Sequence, residues 1–428
     1  MCRRPPPVWD GAGIEQEAIE TRGSVVRNIL FVCGTLSLAC LTNPALAQKG
    51  NYGPGVTDTE IKIGQTMPYS GPVSSVGAFG VVEAAYFQKV NAEGGVNGRK
   101  INLISLDDAY SPPKTVEQTR RLVESDEVLA IVGSVGTPTN LAVQKYLNSK
   151  KVPAIMLLTG ADRISDAQNY PWSMAFLPTN TAKGIVFGNF IAREKPIAKI
   201  AILFQNDDFG RDYVKGFKTG LGEKAGSMIV KEVGYEVTEP TIESQIIALK
   251  ATGADVFLDV TSPKASAQAI KRIAEIKWDV THLLTDSSSS IASVLEPAGL
   301  ENSKGILSVG FQKDTTDPAW RDDPGMTDYL TFMKQYLPDR NANESFYVVG
   351  YSIAQAFVHV LKSCENDLTR ENLMKQATSI SELQLPLLFP GIKLNTSATQ
   401  HAPIHQEQML RFDGSRWVPL GGLVSAEK

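Results

Sequence analysis

The chain has 428 residues, of which 43% are apolar and 21% charged, with a formal net charge of -4. This is an ordinary globular composition with enough apolar material for two or three cores, and it argues against disorder. The slightly acidic balance, with no Lys/Arg-rich run, argues against a nucleic-acid partner.

Residues 28–41 read NILFVCGTLSLACL, preceded by Arg22 and Arg27 and followed by Thr42-Asn43-Pro44-Ala45-Leu46-Ala47. A basic flank, an apolar stretch too short to span a bilayer and a small-x-small end are the parts of a secretory signal peptide. Cleavage after Ala47 would leave Gln48 as the first mature residue. A lipidated Cys40 ranks below this, because Ser37 stands where a leucine is usual. Residues 1–24 are too polar and acidic for a signal n-region, and we expect translation to begin at Val25 or Val26 from a non-AUG codon. Removing 1–47 leaves Cys364 as the sole cysteine, so no internal disulfide is expected. Its setting, AQAFVHVLKSC, suggests a half-buried, inert thiol.

From residue 60 the pattern is strand then helix, repeated. Residues 61–64 form a short strand, MPYSGPVSSVGAFG (67–80) a loop, and VVEAAYFQKVNAEGG (81–95) a helix ending on glycines. Strand INLISLDD (101–108), helix SPPKTVEQTRRLVES (111–125), strand VLAIVG (128–133), helix NLAVQKYLNSKK (140–151) and strand VPAIMLL (152–158) follow. Short apolar runs alternating with helices indicate a parallel sheet covered on both faces. The pattern restarts near Thr179-Asn180, with strands at 198–208, 227–235, 254–260 and 281–286, and helices at 210–225, 241–253, 263–276 and 289–299. Helices at 344–364 and 368–378 and a hairpin turning at Asp413-Gly414 complete the chain. Two similar open sheets place ligand sites at the carboxyl ends of their strands, facing the gap between domains.

Catalytic signatures are absent from this pattern. The four histidines, His282, His359, His401 and His405, accompany no HExxH, GxSxG, P-loop or GxGxxG motif. His401 and His405 share a helical spacing, but Pro403 between them spoils it, so no metal site is expected. Asp107-Asp108 and Asp207-Asp208 read better as helix caps and solvated loop charge than as an acid–base pair. The strand ends instead carry hydroxyls, glycines and aromatics: Tyr69-Ser70-Gly71, Gly136-Thr137, Thr159-Gly160, Phe209-Gly210, Ser262 and Asp286-Ser287-Ser288. In the stretch IVGSVGTPTN (131–140), Thr137 reads as a helix N-cap and Pro138 as the first helical residue. Such a start directs free N–H groups and a positive dipole end at an anion.

The segments VTDTEIKIGQTMPYSGPVSSVG (56–77), FQKVNAEGGVNGRKINLISLDDAYSPPKTVEQTRRLV (87–123), VGSVGTPTN (132–140), IAILFQNDDFGRDYVKGF (200–217) and PGIKLNTSATQHAPIHQEQMLRFDGSRW (390–417) carry a resemblance. The chain resembles a periplasmic solute-binding protein of the branched-chain (Leu/Ile/Val-type) amino acid family of ABC importers, of type I fold. The resemblance implies an α/β fold of two lobes, each a mainly parallel sheet flanked by helices, joined by three hinge crossovers. Lobe 1 would take 55–178 plus 312–388, and lobe 2 would take 179–311 plus 389–428. It assigns Gly136, Thr137, Thr159 and Gly160 to the ligand carboxylate, Phe209 to stacking from lobe 2, and Asp286, flanked by Ser262, to a ligand ammonium. Val76 would line the side-chain pocket. Serines are usual in amino-acid binders where Gly136 and Thr137 stand, and an aromatic hydroxyl where Phe209 stands.

These features lead to the expectation of a monomeric periplasmic capture protein, with no enzymatic activity and no cofactor or metal. It would hand a small carboxylate, a branched-chain or other hydrophobic amino acid, to a membrane permease and ATPase. The same role with an aromatic carboxylate, amide or urea, and a ligand-sensing role with a separate receptor, are the alternatives. A two-lobed enzyme would need a nucleophile–base pair that the sequence does not display.

Overall fold

The computed structural model describes residues 50–426. The export signal, the translation start and the Cys40 reading lie outside the described residues. Among these residues no helix is long and apolar enough to cross a membrane.

After a two-residue strand, β1 (Asn51–Tyr52), comes a five-stranded sheet of β2 (Glu60–Met67), β3 (Lys100–Asp107), β4 (Ile131–Val132), β5 (Ala154–Leu157) and β6 (Ser173–Ala175). Its order is β3-β2-β4-β5-β6 and every pair is parallel. The second sheet contains β7 (Ile200–Gln205), β8 (Ile229–Tyr235), β9 (Val256–Val260), β10 (Thr281–Leu284) and β11 (Leu307–Gly310). These five repeat the same strand order in parallel. After β12 (Asp367–Leu368), which pairs with β1, the hairpin of β13 (Glu407–Phe412) and β14 (Trp417–Val424) adds two antiparallel strands beside β11. The α/β architecture expected from the alternating pattern is therefore present twice.

The inner strands are buried on both faces because helices cover both, whereas the edge strand β8 is largely exposed. In β5 and β9 every residue is buried, as two-sided coverage of a parallel sheet requires. Each aliphatic side chain so placed contributes roughly 1.5–3 kcal/mol. The flanking helices that position the site are α1 (Ala78–Ala92), α2 (Pro112–Glu124), α3 (Thr137–Ser149), α4 (Asn180–Glu194) and α5 (Asp208–Leu221). On α4, Gly184 and Gly188 face Phe217 and Gly220 of α5 so closely that a Cβ on either would collide with backbone. That glycine stripe lets the two helices pack backbone to backbone and sets the depth of their side chains.

The chain leaves the first sheet after β6, returns to it after β11, and rejoins the second sheet at β13. On the return, helices Pro324–Tyr336 and Ser345–Ser363 pack against α1 through Tyr86, Tyr329, Phe332 and Tyr351, with ring centroids 5.0–6.0 Å apart. Strands β6 and β11 and helix Pro324–Tyr336 are absent from the sequence reading. The first two are only three and four residues long, too short for a periodicity to show. The helix does carry a start signal, Asp323 accepting from the Met326 amide with Pro324 in the first turn. Cys364 is fully buried rather than half-buried, and burial pushes its thiol up to about 12.

Candidate functional site

A cavity of about 170 Å³ opens at the carboxyl ends of both sheets. Its walls come from the loops that follow β2, β3, β4, β5 and β6 on one side and β7, β9, β10 and β11 on the other. This is where open α/β sheets present loops free of the strand ladder. All eight residues singled out from the sequence, Val76, Gly136, Thr137, Thr159, Gly160, Phe209, Ser262 and Asp286, line it.

The first wall is a cluster of neutral donors. Gly136, with φ +105°, caps α3, so Thr137 is the first helical residue and Pro138 the second. The helix thus starts one residue away from the sequence expectation. Glycine adopts this backbone without strain, and a Cβ there would strike Thr139 and Tyr110. The Thr137 and Thr159 hydroxyls are hydrogen-bonded at 2.7 Å, and Thr159 Oγ1 also accepts from the Ala161 amide at 3.1 Å. Whichever hydroxyl donates within the pair, one O–H is left to point elsewhere. Beside them stands Asn180, the first residue of α4, whose amide donates to Gly160 O at 2.6 Å. Gly160 lacks a Cβ where one would strike Asn180 Oδ1. The Asn180 side chain is 1% exposed, and its Nδ2 has no partner among the described residues. Leaving such a buried donor unpaired costs about 1–3 kcal/mol, a cost that an anion in the cavity would remove.

The opposite wall is ionic and already paired. Asp286 Oδ2 lies 2.6 Å from Nζ of Lys183, which is 2% exposed. Its Oδ1 is approached by the hydroxyls of Thr285 at 3.3 Å and Tyr213 at 3.4 Å. Behind the pair sits Glu407, 3% exposed, with Oε1 unpartnered among the described residues. Burial pushes the Glu407 carboxyl up to about 8; Lys183 opposes that shift and Asp286 adds to it. A protonated Glu407 leaves Lys183 and Asp286 as a neutral unit. Removing one partner of such a pair costs about 3–5 kcal/mol, because the other becomes an unpaired buried charge.

The remaining polar residues are held by the protein itself. Asp207 caps α5, its side chain accepting from the Phe209 amide at 2.9 Å, and this presents the half-buried Phe209 ring to the cavity. The Ser262 amide donates to Tyr235 Oη at 2.8 Å, and its hydroxyl accepts from the same group at 3.0 Å. Asp108 accepts from the Tyr110 amide and the Thr115 hydroxyl, while Asp107 is bound by Lys114 and Ser70 and held well below the usual carboxylate range. The paired acids are thus structural. His401 and His405 lie in coil, the former bonded to Ser173 O, and no metal-ligand group of three is found among the described residues.

Between the two polar walls and a charged far side, the cavity is lined mainly by apolar side chains. Val73, Val76, Phe79, Leu158 and Leu177 meet Phe311, Phe346, Val349, Phe389 and Trp417. At its far side Lys313 lies 5.0 Å over the Trp320 ring and is bound to Asp323 at 2.6 Å, while Asp317 is bound to Arg416.

Residues 60–416 match the sequence model of the periplasmic binding proteins. The chain belongs to the periplasmic binding protein family. This binding protein is 26% identical over 297 residues to Leu/Ile/Val-binding protein homolog 7 of Brucella abortus, covering 66% of this chain and 73% of that one. Its fold matches a branched-chain amino acid ABC transporter protein of Thermus thermophilus with bound valine, with TM-score 0.78 at 18% identity over 86% of this chain and 97% of that one. It also matches a solute-binding protein of a Rhodopseudomonas palustris ABC transporter in complex with benzoate, with TM-score 0.73 at 21% identity over 86% and 98%.

Sequence reasoning missed three residues of this binding protein's cavity that the structure makes prominent: Asn180, Lys183 and Tyr110. A signal for Lys183 was present. Along α4 the buried stripe runs Asn180, Lys183, Gly184, Phe187 and Ile191, so a cation stands at a position that the 3.6-residue period assigns to the interior.

Proposed function

We propose that this protein is the extracytoplasmic solute-binding component of an ABC uptake transporter, holding a small apolar carboxylate between two closing lobes. The lobes are 55–178 plus 312–388 and 179–311 plus 389–428. The observation that carries this reading is the neutral donor set of Thr137 and Asn180, at the starts of two helices, with Thr159 beside them, facing a cavity whose charged residues are already paired and whose remaining lining is mainly apolar. Charge-assisted hydrogen bonds to a carboxylate contribute about 1.5–3 kcal/mol each, and the positive end of α3 adds to them. The valine of the Thermus protein and the benzoate of the Rhodopseudomonas protein share a carboxylate attached to an apolar group, which supports the same class here.

The mature protein begins after Ala47, acts in the periplasm as a monomer, and delivers its solute to a permease and an ATPase. Among the described residues the hydroxyls of Thr137 and Thr159 bond to each other rather than to a base, which fits capture rather than turnover. Closing follows if the solute favours the closed form by its differential affinity for the two states.

A thermal-shift and calorimetric screen of branched-chain amino acids, short aliphatic acids, aromatic acids, amides and ureas tests the proposal. At one hundred times the dissociation constant a true solute stabilises the protein by about 2.7 kcal/mol. Asn180→Asp, which sets a carboxylate against the bound one, is expected to abolish that shift for every carboxylate. Chemical conversion of a bound solute, or a panel without a single shift, would overturn the reading.

A further inference from the structure

We propose that the cleft selects carboxylates that carry no ammonium group, because Lys183 already occupies the position a ligand ammonium would take against Asp286. This rests on the carboxylate-capture reading and specifies its substrate class. Of the acids that line the cavity, Asp314 and Asp317 lie at its far side, bound to Thr316 and Trp417 and to Arg416; Asp286 has both of its oxygens engaged, Oδ2 by Lys183 Nζ at 2.6 Å and Oδ1 by Thr285 and Tyr213. Lys183 itself is 2% exposed and lines the same cavity.

The consequences differ for the two classes of ligand. A zwitterionic amino acid would bring its carboxylate to Thr137, Thr159 and Asn180, but its ammonium would meet a neutral ion pair with a lysine as its nearest cation. It would have to displace Lys183 from Asp286 toward the buried Glu407 carboxyl, which burial already holds toward its neutral form, or stay unpaired after losing its water. An apolar acid without the amine brings one negative charge and leaves the Lys183–Asp286 pair intact. Lys183 has three N–H donors, of which one goes to Asp286 among the described residues, so its charge also favours an anion over a zwitterion. The fixed lysine thus acts as an internal surrogate for the ligand's ammonium.

Matched ligands isolate this effect. Leucine and 4-methylpentanoate, and phenylalanine and 3-phenylpropanoate, differ only by the ammonium group, and calorimetry on the mature wild-type protein measures each pair. The des-amino acid is expected to bind at least tenfold more tightly in both pairs. Lys183→Met, which opens Asp286 to the cleft, should reverse the preference toward the amino acid. Where that variant does not fold, Lys183→Met combined with Asp286→Leu keeps the wall uncharged and should retain the des-amino preference. Leucine or phenylalanine binding as tightly as its partner in wild type would overturn the proposal, as would an unchanged preference in folded Lys183→Met. Failure of every carboxylate to bind would overturn the capture reading instead.

Discussion

The two polar walls of the cavity solve the problem of burial in opposite ways. On the Thr137–Thr159–Asn180 wall every group is neutral and at least one donor lacks a partner; on the opposite wall the charges of Lys183 and Asp286 are satisfied by one another, with the Glu407 carboxyl held toward its neutral form behind them. An unpaired neutral donor costs little enough to be kept waiting for a ligand, whereas an unpaired buried charge costs several kcal/mol. The protein therefore keeps an open donor on the neutral wall and pairs the charges of the ionic one. A carboxylate completes the first wall and leaves the second undisturbed.

Breaking the ionic wall should have the largest effect. Lys183→Met is expected to lower the stability of the free protein by about 3–5 kcal/mol, and adding Asp286→Leu should recover most of the loss; equilibrium urea unfolding measures both. A comparable cost in the double variant would mean that the two side chains do not act as a pair.

Glu407 gives the ionic wall a pH signature. Its folded pKa lies above the unfolded value, so its contribution to stability is fully present below about pH 4.5 and is lost as the pH rises through about 8. Glu407→Gln should match wild type near the lower limit and exceed it by roughly 2–5 kcal/mol above the upper one. Parallel stability–pH curves for the two proteins would place Glu407 outside this cluster.

Changes on the neutral wall should be smaller, and ligand affinity reports them most directly. Converting both Thr137 and Thr159 to valine removes the outgoing hydroxyl and should weaken a carboxylate by about 1.5–3 kcal/mol, roughly ten- to a hundredfold. Either single valine leaves one hydroxyl able to donate and should cost about 0.5–1.5 kcal/mol, in the range of a single neutral hydrogen bond. Calorimetry in which one single variant equals the double would show that the two hydroxyls do not share one outgoing bond.

The neutral wall was more legible in the sequence than the ionic one. Gly136-Thr137-Pro138 and Thr159-Gly160 announce themselves as strand-to-helix turns through local signals of glycine, hydroxyl and proline. Even there the cap fell one residue off, because only the backbone shows that Gly136 takes the positive φ. Asp286 was visible as an acid at a strand end, but its partner lies 103 positions away on another helix. A pairing at that distance is set by the glycine-mediated approach of α4 to α5 and the seating of α4 beneath the second sheet, neither of which leaves a local pattern. The apolar far wall is hidden for the same reason: Phe311, Phe346, Phe389 and Trp417 reach the cavity only when the chain returns to one sheet and then the other. The βα alternation itself, by contrast, was readable because it is a local, periodic signal.

The most direct test of the central claim, that the protein's own lysine completes Asp286 while a solute carboxylate completes the neutral wall, is a crystal structure of the mature protein with 3-phenylpropanoate. The account expects the ligand carboxylate within hydrogen-bond distance of Asn180 Nδ2 and a threonine hydroxyl, with Lys183 Nζ still on Asp286. A ligand group bonded to Asp286, with Lys183 swung out of the pair, would contradict it.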